Sequence, residues 1–143
     1  MRDISNRVKS VTCQDAKVFT SDTNGTTVDR KGFESLMFIV NSGIEGDTLS
    51  GSVKFDFILE HSDDDTTFTA VTSSTDVTET SVDSSGIFLT LDANGETPQT
   101  SQIGYIGNKR YARVKIDATG THSNGTPISV QAVLGNPMDS EDA

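Results

Sequence analysis

The sequence contains few of the residue types from which catalytic and metal sites are built. Among 143 residues there are one cysteine (Cys13), two histidines (His61 and His122) and no tryptophan. A single cysteine cannot form an intrachain disulfide, and two separated histidines do not supply the convergent ligands of a zinc or iron site. The sequence also lacks a G-x-S-x-G elbow, a phosphate-binding loop and a dinucleotide fingerprint. We therefore expect no metal, no cofactor and no enzymatic activity, although the numerous acids leave a glycoside hydrolase with paired carboxylates open.

Basic residues are also scarce. The sequence has 11 lysines and arginines against 21 aspartates and glutamates, which gives a formal net charge of −10. Because affinity for phosphate groups rests on lysine and arginine, neither nucleic acid nor an anionic membrane is an expected partner. No apolar run is long enough to span a bilayer, and the N-terminal residues form no apolar signal region. The sequence therefore predicts a soluble protein without a nucleic-acid or membrane partner.

Short apolar segments are what the sequence does contain. Hydrophobic residues make up 33% of it, a low fraction that suits thin β layers in which only alternate residues face inward. The clearest alternation lies in Tyr111–Ala118, where the even-numbered residues are apolar and the odd-numbered ones polar. The continuous run Leu36–Val40 predicts a central strand that is covered on both faces. Roughly seven or eight such strands, separated by turn residues, predict an all-β sandwich, jelly roll or small barrel.

The two ends of the sequence show no such alternation. We assign residues 13–137 to the β domain, residues 1–12 to an extended N-terminal arm and residues 138–143 to an acidic tail. The arm is either a frayed terminus or a segment that lies on a neighbouring subunit. It has a local excess of positive charge, and its basic residues are Arg2, Arg7 and Lys9.

The segment Gln102–Ala118 is expected to form a β-hairpin with a tight turn at Gly107-Asn108. It contains a dense basic cluster, which consists of Lys109, Arg110, Arg113 and Lys115. In an acidic chain such a cluster suggests a docking surface. However, the inward-facing residues of the same segment are apolar and are expected to form part of the core. We favour a scaffold hairpin whose basic side chains pair with carboxylates on neighbouring strands. The residues assigned to this scaffold hairpin are Tyr105, Gly107, Arg110, Tyr111 and Arg113.

Charges and outward apolar residues are unevenly distributed along the chain. Residues 41–102 contain twelve acids and one base, so the rest of the chain is close to neutral. This uneven distribution of charge is compatible with a protein that has one docking surface and one solvent-facing surface. The acidic run Ser62–Thr66 lacks the spacing of an EF-hand loop, and a hairpin turn is favoured over a calcium site. Three apolar residues at outward positions would form an oligomer contact if they cluster in space; they are Ile58, Phe88 and Val133.

Three segments carry a resemblance to a known group of proteins. They are LEHSDDDTTFTAV (Leu59–Val71), GYIGNKRYARV (Gly104–Val114) and GTHSNGTPISVQAVLGNP (Gly120–Pro137). Together they resemble the capsid cement or decoration proteins, which are small β-rich accessory proteins encoded among the head genes of tailed bacteriophages. The resemblance implies a jelly-roll-like antiparallel β-sandwich that binds the major capsid protein on the outside of an icosahedral head. It also implies homodimers or homotrimers, and neither enzymatic activity nor a cofactor.

A protein of this kind is made in the host cytoplasm and is located in the virion, on the outer capsid surface. Our hypothesis is that Arg2, Arg7 and Lys9 hold the arm against an acidic capsid surface, where it can add a strand to a neighbour's sheet edge. The leading alternative is a carbohydrate- or receptor-binding β-sandwich module of a head fibre or tail. Such modules use aromatic platforms, and Tyr111 at an outward position keeps this alternative open.

Overall fold

The computed structural model describes residues 2–138, which form ten β-strands and a short 3-10 turn at Ser74–Asp76. The strands are β1 (Val8–Phe19), β2 (Val28–Asp29), β3 (Phe33–Ser42), β4 (Lys54–Ser62), β5 (Thr69–Ala70), β6 (Val77–Thr78), β7 (Ile87–Leu91), β8 (Gln99–Tyr105), β9 (Tyr111–Thr119) and β10 (Thr126–Pro137). None of the described residues belongs to a helix long and apolar enough to cross a membrane.

The strands form two antiparallel sheets that pack face to face. Sheet A has the order β1-β10-β3-β8-β6. In sheet B, β2, β9 and β4 are neighbours, and the short strands β5 and β7 pair with successive parts of β4. Apart from β5, successive strands alternate between the two sheets along the chain, and the last two, β9 and β10, lie beside β2 and β1. This order is that of a jelly roll, and it confirms the predicted all-β, jelly-roll-like sandwich.

The core between the sheets consists of alternate residues from both layers, as a half-buried strand requires. Burying one large apolar side chain of this kind stabilises a fold by about 1.5–3 kcal/mol. Completely buried residues include Phe38, Val130 and Ala132 in sheet A, and Phe55, Phe57, Leu59, Ala112, Val114 and Ile116 in sheet B.

The central position of β3 agrees with the prediction for the apolar run Leu36–Val40, since β3 lies between β10 and β8. The expectation that both of its faces are covered is wrong. Met37 and Ile39 are half-buried on the outer face, whereas the residues on either side of them are buried. A sandwich has only two layers, so the outward residues of even a central strand stay at the surface.

The predicted hairpin at Gln102–Ala118 is also wrong. β8 lies in sheet A beside β3, and β9 lies in sheet B between β2 and β4. Residues 106–110 therefore cross from one sheet to the other, and we call them the crossing turn. Alternation identifies each strand but not its partner, and a Gly-Asn turn is compatible with either connection.

The N-terminal segment outside the sheets is shorter than the predicted arm. β1 begins at Val8, and Val8–Thr12 pair with residues 131–135 of β10. Because β1 is an edge strand with exposed residues on both faces, among them Lys9 and Ser10, its sequence shows no clear alternation. Of the described residues, Arg2–Arg7 precede the first strand. Met138 is the one described residue of the predicted acidic tail, and residues 139–143 lie outside the described residues.

Candidate protein-binding face

The outer face of sheet A has no charged side chain in the two rows that cross the middle of its strands. Because the strands are in register, their outward residues form rows across the sheet. One row is Ser10, Val133, Met37 and Gly104, and the next is Thr12, Gln131, Ile39 and Gln102. A partner can cover such a surface without dehydrating a charge, which is the costly part of burying polar groups.

A groove of about 400 Å³ crosses one end of this face. Its apolar lining includes Ile4, Val8, Met37, Ile106 and Val133. Two of these residues are unusually exposed for large apolar side chains, Ile4 at 63% and Ile106 at 58%. Exposed apolar side chains gathered around one concave surface are typical of a protein-interaction site.

Two features of the backbone shape the groove. Gly104 lies in its floor, where any Cβ atom would collide with the Oγ1 atom of Thr78. Glu79 lies at its rim with a φ of +74°, a left-handed conformation that costs a residue other than glycine about 1–3 kcal/mol. Glu34 also lines the groove, so its rim is acidic although its floor is not.

The outer face of sheet B is different, because several of its charged side chains form ion pairs with one another. Arg113 Nε lies 2.9 Å from Glu60 Oε1, and the Arg113 guanidinium stacks 3.9 Å above the centre of the Phe68 ring. Lys54 Nζ lies 3.4 Å from a carboxylate oxygen of the buried Asp56. A partner that covered this face would have to dehydrate several ion pairs.

The remaining basic residues near the crossing turn are also paired. Lys109 Nζ lies 2.6 Å from Asp63. Arg110 donates two hydrogen bonds to the Asp29 carboxylate, at 2.9 and 2.8 Å, and these bonds lower the pKa of Asp29. The same guanidinium lies 5.0 Å above the Tyr111 ring. Three of the four residues of the basic cluster that suggested a docking surface, Lys109, Arg110 and Arg113, therefore form contacts within the chain.

Tyr105 holds the crossing turn in place. Its completely buried side chain places the hydroxyl 2.8 Å from His61 Nδ1 and 3.2 Å from the Lys109 N–H that donates to it. The Gly107 backbone passes close to this hydroxyl, since a Cβ atom there would lie 2.6 Å from it. Arg30 covers the other side, donating to the Gly107 carbonyl oxygen at 2.6 Å and stacking 5.2 Å above the Tyr105 ring. Burial raises the pKa of Tyr105 and lowers that of His61.

Two carboxylates among the described residues lie in contrasting environments. Asp64 Oδ1 accepts the N–H groups of Thr66 and Thr67, at 3.0 and 2.9 Å, and closes the turn between β4 and β5. Burial raises the pKa of Asp117, and the adjacent Asp22 carboxylate raises it further. Within residues 2–138 no group of three histidine, cysteine or acidic side chains is placed to hold a metal ion.

The three basic residues assigned to the arm lie in or just before the first strand. Arg2 and Arg7 precede β1, whereas Lys9 lies within it, and all three are exposed. None of them forms an ion pair with another part of the chain from residue 2 to residue 138. Their segment borders the groove, because Ile4 and Val8 line it.

The three outward apolar residues do not form one patch. Val133 lies on the outer face of sheet A, and Ile58 lies on that of sheet B. Phe88 is half-buried against the core, with its ring centre 6.4 Å from that of Phe57. Of the three, Val133 alone belongs to the groove. The apolar groove residues that the sequence did not indicate are Ile4, Val8, Met37 and Ile106. Met37 was detectable as an odd-numbered residue of β3.

The aromatic residues offer little to a sugar ligand. All nine of them lie in the described part of the chain, and none is exposed there. Tyr111, which kept the carbohydrate alternative open, is half-buried beneath the Arg110 guanidinium. Sugar rings stack on exposed aromatic faces, so this fold provides no platform for them.

No protein-family model matches the sequence, and no curated protein is significantly similar to it. Among solved structures, the chain is similar to the SPBc2 prophage-derived protein YomS, with a TM-score of 0.51 and 16% sequence identity. The similarity covers 90% of this chain and 93% of that one. At this identity the similarity shows a shared fold.

Proposed function

We propose that this chain is a structural protein of a tailed-bacteriophage particle that binds the outer surface of the icosahedral head and stabilises contacts between major capsid protein subunits. Two findings make a phage origin reasonable: the resemblance of three segments to capsid cement proteins, and a fold shared with a prophage-derived protein. The observation on which the binding role rests is the outer face of sheet A, with its two uncharged rows and its apolar groove.

The contrast between the two faces of the sandwich supports this assignment of surfaces. Sheet A presents uncharged rows and exposed apolar side chains, which release water readily when covered. Sheet B presents ion pairs, and the acidic loops between residues 62 and 96 contain most of the net negative charge. We therefore place sheet A against the head and sheet B toward solvent. Many copies bound to one shell would multiply a modest affinity per contact.

The proposal is tested by adding purified protein to phage heads that lack it and measuring the bound copies per head by gel densitometry. The test variant is Met37→Asp, which places a charge in the middle of the sheet A face. The matched control is Ile58→Asp, which places the same charge at a half-buried apolar position on the outer face of sheet B. We expect Met37→Asp to lose at least tenfold in occupancy and Ile58→Asp to bind like the original protein. Equal binding of the two variants, with both shown to be folded by circular dichroism, would refute the assignment of the faces. No binding of the unchanged protein would refute the function.

A further inference from the structure

Sheet A has an open edge at β8. On one side, β8 pairs with β3 along its whole length, from Tyr105 opposite Leu36 to Gln99 opposite Ser42. On its other side it pairs with β6 at Gly104 and Tyr105 only. No strand in the described part of the chain lies beside residues 99–103 on that side.

The direction of the free backbone groups follows from two hydrogen bonds. The Ile106 N–H donates to the Asp76 carbonyl oxygen at 2.8 Å, toward the β6 side. The Gln99 N–H donates to the Ser42 hydroxyl at 3.2 Å, toward the β3 side. Successive residues of an antiparallel strand point their N–H and C=O groups to opposite sides. Thr100 and Gln102 therefore direct theirs to the open side, and both residues are exposed.

This edge lacks the usual protection against pairing with another chain. Natural edge strands are blunted by lysine, proline, bulges or covering loops. Residues 99–103, QTSQI, contain neither a charge nor a proline. Over five residues the edge is a template for an added strand.

The opposite edge of the same sheet is open as well. β1 pairs with β10 on one side. At Cys13 its other side is occupied, since the Thr26 N–H donates to the Cys13 carbonyl oxygen at 2.7 Å. Val8–Thr12 have no strand on that side within residues 2–138. Sheet A thus ends in two open segments of five residues each.

The strand order makes the two edges compatible. β1, β10, β3 and β8 alternate in direction across sheet A. If a second copy extends the sheet with the same alternation of strand direction, its β1 runs antiparallel to β8 of the first copy. Antiparallel pairing is the more common kind. The charges match at one end of the contact: Arg7 and Lys9, which form no ion pair within residues 2–138, lie at the start of β1 and would come near Glu79 at the end of β8.

We propose that copies of this chain associate edge to edge, with β1 of one copy pairing with β8 of the next through the backbone groups of Thr100 and Gln102. The contact joins two different surfaces, so repetition generates a closed ring or an open filament. The inference does not depend on head binding, because it concerns purified protein in solution.

The test is sedimentation velocity on the full chain, with three substitutions at one position. Thr100→Pro removes the outward N–H, and proline is tolerated at this kind of edge position. Thr100→Val removes only the hydroxyl that accepts a hydrogen bond from Asn41, and Thr100→Ser keeps both groups. We expect the unchanged protein, Thr100→Val and Thr100→Ser to sediment as oligomers, and Thr100→Pro to sediment as the 15.3 kDa monomer. A monomeric unchanged protein, or an oligomer that persists in Thr100→Pro, would overturn the proposal.

Hydrogen exchange of the unchanged protein provides a second measurement if Thr100→Pro does not fold. The amides of Thr100 and Gln102 should exchange slowly in concentrated, associated protein and at least tenfold faster after dilution to the monomer. The amide of Gln99, which is bonded within the chain, serves as the internal reference. Equal exchange at Thr100 and Gln102 in both states would exclude pairing at this edge.

Discussion

The Tyr105 hydroxyl lies 2.8 Å from Nδ1 of His61, and this bond joins the last residue of β8 in sheet A to β4 in sheet B. The Lys109 N–H donates to the same oxygen, which leaves the hydroxyl proton free to point at the imidazole nitrogen. Burial and the nearby Lys109 charge lower the pKa of His61, which favours the neutral ring whose nitrogen can accept this proton. One buried hydroxyl therefore connects the two sheets and the crossing turn.

Replacing Tyr105 with phenylalanine should destabilise the protein without changing its fold. The substitution leaves the Lys109 N–H and the His61 nitrogen without their partner, and a buried polar group that loses its partner costs about 1–3 kcal/mol. The measurement is the free energy of unfolding in urea. Tyr111→Phe is the control, because the Tyr111 hydroxyl lies on a half-buried ring on the outer face of sheet B. Equal losses in the two variants would contradict this role of the Tyr105 hydroxyl.

The stability contributed by neutral His61 should be lost in mild acid. Its pKa is lower in the folded protein than the ordinary value of 6.5, so the unfolded chain binds more protons just below that pH. The contribution is then fully present above about pH 6.5 and falls as the pH drops through that value toward the folded pKa. Thermal unfolding of the unchanged protein and of His61→Gln between pH 5 and pH 8, a range that spans the histidine pKa, should show a narrowing difference toward acid. A difference that stays constant with pH would argue against a neutral, buried ring.

Asp117→Asn should stabilise the protein at neutral pH. Burial and Asp22 raise the folded pKa of Asp117 above its ordinary value of 3.8. The folded state therefore binds more protons than the unfolded state above that value, and stability decreases as pH rises from 3.8 through the folded pKa. The gain from the substitution should be present at pH 7 and vanish in acid. Asp92→Asn, in an exposed loop, is the comparison, and a gain of equal size there would point to net charge instead of local repulsion.

The N-terminal segment should be removable as far as residue 7 without unfolding the sandwich. Deleting Arg2–Arg7 leaves β1 complete, whereas a deletion through Thr12 would remove five paired residues from β1. Under the proposed function, the shorter deletion should reduce head occupancy strongly while the melting temperature stays within a few degrees. Replacing Arg2 and Arg7 by lysine should preserve binding, because the charges remain. Unchanged occupancy after the deletion would show that the segment does not contact the head.

The sequence predicted strands better than it predicted their partners. The alternation in Tyr111–Ala118 identified β9 and its buried residues, because a two-layer fold imposes a period of two on any strand with one covered face. The same pattern contains no information about which sheet a strand joins. That choice depends on contacts distant in sequence, such as the pairing of β9 with β4, so the crossing turn was mistaken for a hairpin.

The candidate face was harder to predict than the fold. Its groove combines Ile4, Met37, Ile106 and Val133 from four separate segments, and no local pattern connects them. The basic residues of the N-terminal segment could be noticed in the sequence because the chain as a whole is acidic. The start of β1 could not be predicted, because an edge strand with two exposed faces has no hydrophobic period.

The position of β10 between β1 and β3 has a consequence for synthesis. Sheet A cannot form completely until residues 126–137 have left the ribosome. These residues form β10, which joins β1 to β3 and is the last strand of the fold to be translated. Until then β1 and one side of β3 lack a partner, although they were made first. Pairing between residues this distant in sequence is slow to form, so the nascent chain remains dependent on the completion of its final strand.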